Sequence, residues 1–494
     1  MSQQFHVPQS KADADPRRWI ALAVLLLASF MNLIDVTVVN VALPGMQQQL
    51  GARSSDIEWV IATYVLAFAL GLLPFGRLGD VIGRSRMFLL GVGLFTLASA
   101  LCGLAPSIDW LIAARAFQGL AGAMMTPQVL AIVQVTFPPE EKGQAFALFG
   151  LANGLAAVAG PIVGGLLIGA NLWGLDWRPI FLVNIPVGLL ALVAGWFLIA
   201  RTPGHPGLRN DFVGIGLFGA ATLALVFPLI EGHTEGWPLW CWALIGLSVI
   251  LAMAFVIWER HQDRRKGPEL LNYGLMTNRG YLLGLITATL FASGVPALFF
   301  VISLMLQAGF GYTALESGLT NTPFSVGVMI VSIFIGRLGQ RYLKERWTLG
   351  AVLLAVGVLW LDLVIRDLGE TLNQFVLLPP LFIAGCGLGM GFSGLFQTVL
   401  ASVPHRDAGS GSGALQAFQQ IGGAIGVALV GEIFFTDLSA GFASGASPAR
   451  AFAAAAGPAL TYQVVVFTAV AVLTLFLKTP KPQAYAAPPP PVEA

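Results

Sequence analysis

Fourteen stretches of about 20 predominantly apolar residues recur along this 494-residue chain, each long enough to cross roughly 30 Å of hydrocarbon as a helix. They lie near 19–43, 57–75, 87–106, 109–136, 143–169, 179–200 and 212–230. The second seven lie near 239–258, 281–306, 315–336, 348–366, 374–400, 411–435 and 459–477. Strands of alternating polarity are absent, so helices must satisfy the backbone within lipid. Only 10% of the residues are charged and the mean hydropathy is +0.79, whereas a soluble domain carries about 25% charged residues. The reading is an all-α polytopic membrane protein with 14 transmembrane helices.

Lys and Arg in the short loops set the orientation. With the N-terminus inside, 21 of the 26 basic residues fall in inner segments. Four (Arg53, Arg178, Arg366 and Arg450) fall outside, and Arg115 lies within a span. This asymmetry puts both termini in the cytoplasm. Lys11, Arg17 and Arg18 precede an apolar run that continues past Asp35 to Pro44 without a small-residue cleavage site, so that run reads as a permanent span and not as a signal peptide. Cys102, Cys241 and Cys386 are scattered in apolar runs without metal or disulfide spacing. A net charge of +1 implies no nucleic-acid partner.

A loop sequence, GRLGDVIGRSR at 76–86, has a degraded echo, GRLGQR, at 336–341, where Gln340 replaces the acid. A repeated loop indicates internal duplication, a frequent plan among secondary transporters. The expected domains are a six-helix bundle at 1–200, a two-helix insert at 201–277 and a second six-helix bundle at 278–480. A disordered Pro-rich tail would follow at 481–494. The Ala-, Ser- and Gly-rich outer segment 437–457 is expected to be mobile.

Five features carry candidate chemistry. Asp35 stands within span 1, where an ionisable group is costly and needs a cavity or a partner; Asn32, one turn earlier, could line the same cavity. Arg115 in span 4 could sense a carboxylate or brace backbone carbonyls, and Gln118, Gly119 and Gly122 continue its face. Gly160, Pro161, Gly164 and Gly165 in span 5 suit a close, kinked helix contact. Between spans 2 and 3, Gly76, Gly79 and Gly83 are expected to form a tight turn, with Asp80 placed to accept donors from a helix N-terminus and Arg84 beside it. Glu432 near the outer end of span 13 is a secondary carboxylate, and Asp362 is expected to pair locally with Arg366.

These segments resemble the major facilitator superfamily and, within it, the fourteen-span drug–proton antiporters. GRLGDVIGRSR resembles its motif A, RAFQG at 115–119 its motif B, GPIVGG at 160–165 its motif C, and LIDVTVVNVALP at 33–44 its span 1 signature. WRPIFLVNIPVG at 177–188 and GALQAFQQIGGAIG at 413–426 are further similar segments. The resemblance implies a proton- or cation-binding Asp35, a coupling Arg115, an antiporter hinge at Gly160, Pro161, Gly164 and Gly165, and a conformational latch at Gly76, Asp80, Gly83 and Arg84.

The function expected is proton-coupled efflux of small amphipathic molecules, cationic or hydrophobic, across the bacterial cytoplasmic membrane. The alternative is a dedicated exporter or importer of one metabolite. No GxxxxGK[ST] phosphate loop or HExxH helix occurs, so neither an ATP-driven pump nor an enzyme is expected. The partners expected are the bilayer, protons and the substrate, with no cofactor and no metal. An accessory periplasmic protein is left open.

Overall fold

The computed structural model describes residues 14–205, 208–232, 235–336, 342–367 and 369–477. The tail at 481–494 and Gln340 of the loop echo lie outside the described residues. The first half comprises α1 (Arg18–Leu50), α2 (Ser54–Ile82), α3 (Arg84–Gly103), α4 (Ile108–Thr136), α5 (Pro139–Gly169), α6 (Pro179–Leu182) and α7 (Asn184–Leu198). Two helices follow, α8 (Phe212–Glu231) and α9 (Leu239–Arg265). The short α10 (Tyr273–Thr277) leads to α11 (Arg279–Leu304), α12 (Ala314–Thr320), α13 (Thr322–Gly336), α14 (Leu343–Arg366), α15 (Leu378–Leu400), α16 (Ala408–Ala443) and α17 (Pro448–Phe476).

Among the described residues, thirteen helical stretches are long and apolar enough to cross a membrane. The fourteenth span is α5, 31 residues with Glu140, Glu141 and Lys142 in its first turn. Several helices outrun their apolar stretches because local chemistry continues them. The segment 437–457, expected to be mobile, is helical except at 444–447. Alanine is the best helix former, and Ser447 accepts a hydrogen bond from Arg450 N at 3.4 Å to cap α17. At the outer end of α11 the helix widens into one π turn, Met305–Gly309.

The two halves pack alike. In the first, α1 packs on α5 and α7, α2 on α4, and α3 on α4 and α7. In the second, α11 packs on α16 and α17, α13 on α15, and α14 on α15 and α17. The pairs that join the halves are equally symmetric: α2 lies along α16, and α5 along α13. Each is the second span of one half against the fifth of the other, which is the geometry an internal duplication produces. The α8–α9 hairpin leans on α2 and α16.

The segment that carries α8 and α9 is tied to both halves at the basic end. Thr202 and Ser85 exchange hydrogen bonds at 2.9 and 3.0 Å, and His205 N donates to the Asp80 carbonyl at 3.1 Å. Beyond α9, Asn272 donates to Asp407 of the second half at 3.3 Å.

Candidate functional site

Asp35 is completely buried and sits where five helices of the first half converge. Its Oδ2 is ion-paired with the Arg115 guanidinium of α4. Its Oδ1 accepts from Gln118 Nε2 and from Asn184 Nδ2 of α7, each at 2.9 Å. Ser99 of α3 ties these two amides together, accepting from Gln118 at 2.9 Å and from Asn184 at 3.3 Å. Arg115 also donates to Gln118 Oε1 at 2.7 Å and to the Val60 carbonyl of α2 at 3.1 Å. A buried charge pair is tolerable only when its remaining lone pairs and protons are also satisfied, and here both carboxylate oxygens are.

Tyr64 covers this network. Its ring lies 4.2 Å from the Arg115 guanidinium carbon, a cation–π contact. Its hydroxyl is 2.5 Å from Asn32 Oδ1, and Asn32 in turn donates to Thr126 at 3.1 Å. On the far side of Tyr64 and Asn32 lies a cavity of about 780 Å³ between the two halves, within the range of small-molecule sites. Asn32 and Asp35 therefore do not share the cavity. Three residues along an α-helix leave side chains about 60° apart. Ser29, Asn32, Leu33 and Val36 form the cavity face of α1, while Asp35 is turned into the bundle.

The cavity reaches the outer-side residues Val41, Ser303 and Gln307, the last of these in the π turn of α11. At the basic end the halves are locked together. Asp80, 1% exposed, accepts from Gly409 N at 2.9 Å and Ser410 N at 2.8 Å, the free amides at the start of α16. Arg84 holds Asp80 at 2.7 Å and reaches the His405 carbonyl at 2.5 Å. Arg77 pairs with Asp407 at 3.1 Å. Ser412 of α16 donates to the Pro127 carbonyl of α4 at 2.8 Å. The halves are closed at the basic end, and the cavity extends from there toward Val41, Ser303 and Gln307.

The motif glycines do different jobs from the tight turn expected. Gly76 and Gly79 lie within α2, and only Gly83 turns the chain, at φ +106°. Gly76 lets α2 touch the backbone of Gly409 and Gly413, and Gly79 faces Gln128. In α5, Gly160 and Gly164 lie against Thr37 and Val38 of α1, whereas Gly165 meets open space. The Pro161 side chain lies outside the described residues. Glu432 is exposed and accepts from Trp237 Nε1 at 2.9 Å; it is not among the cavity-lining residues. Arg366 pairs with Asp362 at 2.8 Å. Sequence reasoning assigned no role to Asn184, Tyr64, Ser99, Arg77 or Asp407. Two of them carried a signal, Asn184 through its place in WRPIFLVNIPVG and Arg77 through its place in GRLGDVIGRSR.

Residues 25–427 match the sequence profile described as Major Facilitator Superfamily. The chain belongs to the major facilitator superfamily. Members of this superfamily are transporters, and the chain is a multi-pass membrane transporter. It is 41% identical to a Streptomyces coelicolor protein named "Probable actinorhodin transporter", over 90% of this chain and 78% of that one. It is 34% identical to the puromycin resistance protein pur8 of Streptomyces alboniger, over 93% and 90%. Among solved structures, the human organic anion transporter MFSD10 superposes with a TM-score of 0.65 at 16% identity. That alignment covers 93% of this chain and all of the other, and it supports the shared fold.

Proposed function

We propose that this member of the major facilitator superfamily exports small amphipathic molecules across a bacterial cytoplasmic membrane in exchange for protons. Two six-helix bundles, 1–200 and 278–480, would rock about the central cavity, with 201–277 as an inserted pair. The observation that carries the reading is the buried Asp35–Arg115 pair, separated from the cavity by Tyr64 and Asn32. The names of the relatives, resistance and antibiotic transport, support the direction of transport.

In this reading Asp35 is the proton-binding acid and Arg115 its coupling partner. Protonation of Asp35 removes the charge that holds Arg115, and the freed guanidinium presses its field onto Tyr64. Asn32, held by the Tyr64 hydroxyl, carries that change to the cavity wall. Competition between proton and substrate is therefore indirect, passing through two side chains. Gln118 and Asn184 orient the carboxylate. Gly76, Asp80, Gly83 and Arg84 hold the cytoplasmic gate shut, and Gly160, Pro161 and Gly164 form the hinge surface of α5, with Gly165, which meets open space, outside it. Glu432, hydrogen-bonded to Trp237 away from the cavity, is a weaker candidate for coupling.

The test is transport by purified protein in liposomes, driven by an imposed pH gradient. Asp35→Asn should abolish gradient-driven accumulation yet retain counterflow of labelled substrate. Gradient-driven transport at the wild-type rate in Asp35→Asn would remove Asp35 from the coupling.

A further inference from the structure

The cavity wall is rich in phenylalanine, and its described residues include no charged side chain. Phe392 and Phe396 stack with their ring centroids 5.6 Å apart and their planes 5° apart. Phe149 meets Phe396 edge-on at 5.4 Å, and Phe299 meets Phe324 at 4.9 Å. Among the described residues that line the cavity there is no Asp, Glu, Lys, Arg or His. Asp35 and Arg115, behind the wall, offset each other. The polar part of the wall is made of amides and hydroxyls, and some of it is unmatched. Gln416 Nε2, Asn321 Oδ1 and Ser29 Oγ have no hydrogen-bond partner, on side chains that are 7%, 5% and 4% exposed and belong to the lining. Buried polar atoms without partners are rare, and leaving one unmade costs about 1–3 kcal/mol.

Resting on the export reading, we propose that the substrate is an uncharged polycyclic aromatic molecule bearing carbonyl and hydroxyl groups on one edge. Its rings lie among the phenylalanines, and its polar edge meets the unmatched amides. The phenylalanines could instead attract a cation, and magnitudes decide between the two. A desolvated cation–π contact returns about 2 kcal/mol, whereas stripping water from an ion without a counter-charge costs several kcal/mol. An anion meets the negative faces of the same rings and is disfavoured further. The site selects the uncharged end of the amphipathic class.

The experiment measures binding of three matched probes to the purified full-length protein in lipid nanodiscs. They are 1,8-dihydroxyanthraquinone, whose two hydroxyls and the carbonyl between them lie on one edge, its 3-sulfonate, and its derivative with a trimethylammoniomethyl group at position 3. The uncharged quinone should bind at least about 10-fold more tightly than either ion, the factor that about 1.4 kcal/mol of unrecovered desolvation gives. Gln416→Leu should weaken quinone binding by about 2- to 12-fold, the value of one neutral hydrogen bond, and should weaken the residual binding of the ions, which carry the same polar edge, by the same factor. Gln416→Glu places a counter-charge in the wall and should raise the relative affinity of the cation. Cation binding equal to or tighter than that of the quinone in the wild type, or no binding by any probe, would overturn the proposal. The rank of affinities is independent of transport. If the quinone binds best but a pH gradient moves none of the probes, the export reading fails and the substrate class stands. If the gradient drives export of the cation while the quinone binds more weakly, the reverse holds.

Discussion

The ring of Tyr64 lies 4.2 Å from the guanidinium carbon of Arg115. The hydroxyl of the same side chain is bound to Asn32, a residue of the cavity wall, at 2.5 Å. One side chain thus touches both the buried charge pair and the compartment where a substrate would sit. The two contacts use different parts of the residue, so they can be separated by substitution.

Tyr64→Phe keeps the ring under Arg115 and deletes the link to Asn32. The lost hydrogen bond is worth about 0.5–1.5 kcal/mol, so substrate affinity should fall no more than about 12-fold. Proton release on substrate binding, followed with a pH dye in weakly buffered detergent solution, should fall much further. Wild-type proton release in this variant would show that coupling bypasses Tyr64.

Arg115→Met leaves Asp35 buried with its charge uncompensated, and breaking such a pair typically costs about 3–5 kcal/mol. The variant should unfold at a clearly lower temperature in detergent. Adding Asp35→Asn should restore most of the loss, because the neutral amide no longer needs the guanidinium. The cycle separates pairing from packing; additive losses in the double variant would mean that the two side chains act independently.

Asp80→Asn keeps the shape of the latch and removes the charge that faces the first amides of α16. That interaction is worth about 0.3–1 kcal/mol at exposed sites and up to about 2 kcal/mol when partly buried. With Asp80 buried, the upper end applies, and the population closed at the cytoplasmic end should fall by up to about 30-fold. Distances between spin labels on the cytoplasmic ends of α4 and α15 would measure the shift. An unchanged distance distribution would reduce the contact to a fixed structural tie.

Gly160 and Gly165 should respond differently to the same change. A Cβ at Gly160 would come within 2.7 Å of the Thr37 Cβ, whereas one at Gly165 meets nothing within 4 Å. Overpacking of this kind costs about 1–3 kcal/mol. Gly160→Ala should therefore slow transport and lower stability, and Gly165→Ala should leave both unchanged. Transport assays on the two variants side by side would expose a shared role if both failed.

The sequence made the spans legible because lipid imposes strong, local rules on length and polarity. Asp80 could be read as a partner for a helix N-terminus, but which helix it meets depends on a contact across about 330 residues. Gly76 and Gly79 were misplaced for a related reason. Glycine spacing signals close approach, and the sequence does not say whether a turn or a neighbouring helix comes close. Asp35 and Asn32 shared a face at the resolution of one helical turn, yet the 60° between them decides which one meets the cavity. Tyr64 gave no signal, because an aromatic residue in a membrane helix looks like bulk until its neighbours are known.

The ties at both ends of the α8–α9 hairpin have a mechanical consequence. The chain entering α8 is fastened to the start of α3 through Thr202 and to the end of α2 through His205, and the chain leaving α9 is fastened through Asn272 to Asp407, beside the start of α16. Those anchor points lie on opposite halves of the molecule, on either side of the contact between Asp80 and the start of α16. The hairpin is thus a strap across a doorway, slack enough for the closed position and bounded in length. While both fastenings hold, the leaves can part only as far as the strap allows, so lengthening or cutting it should widen the swing before it alters the lock.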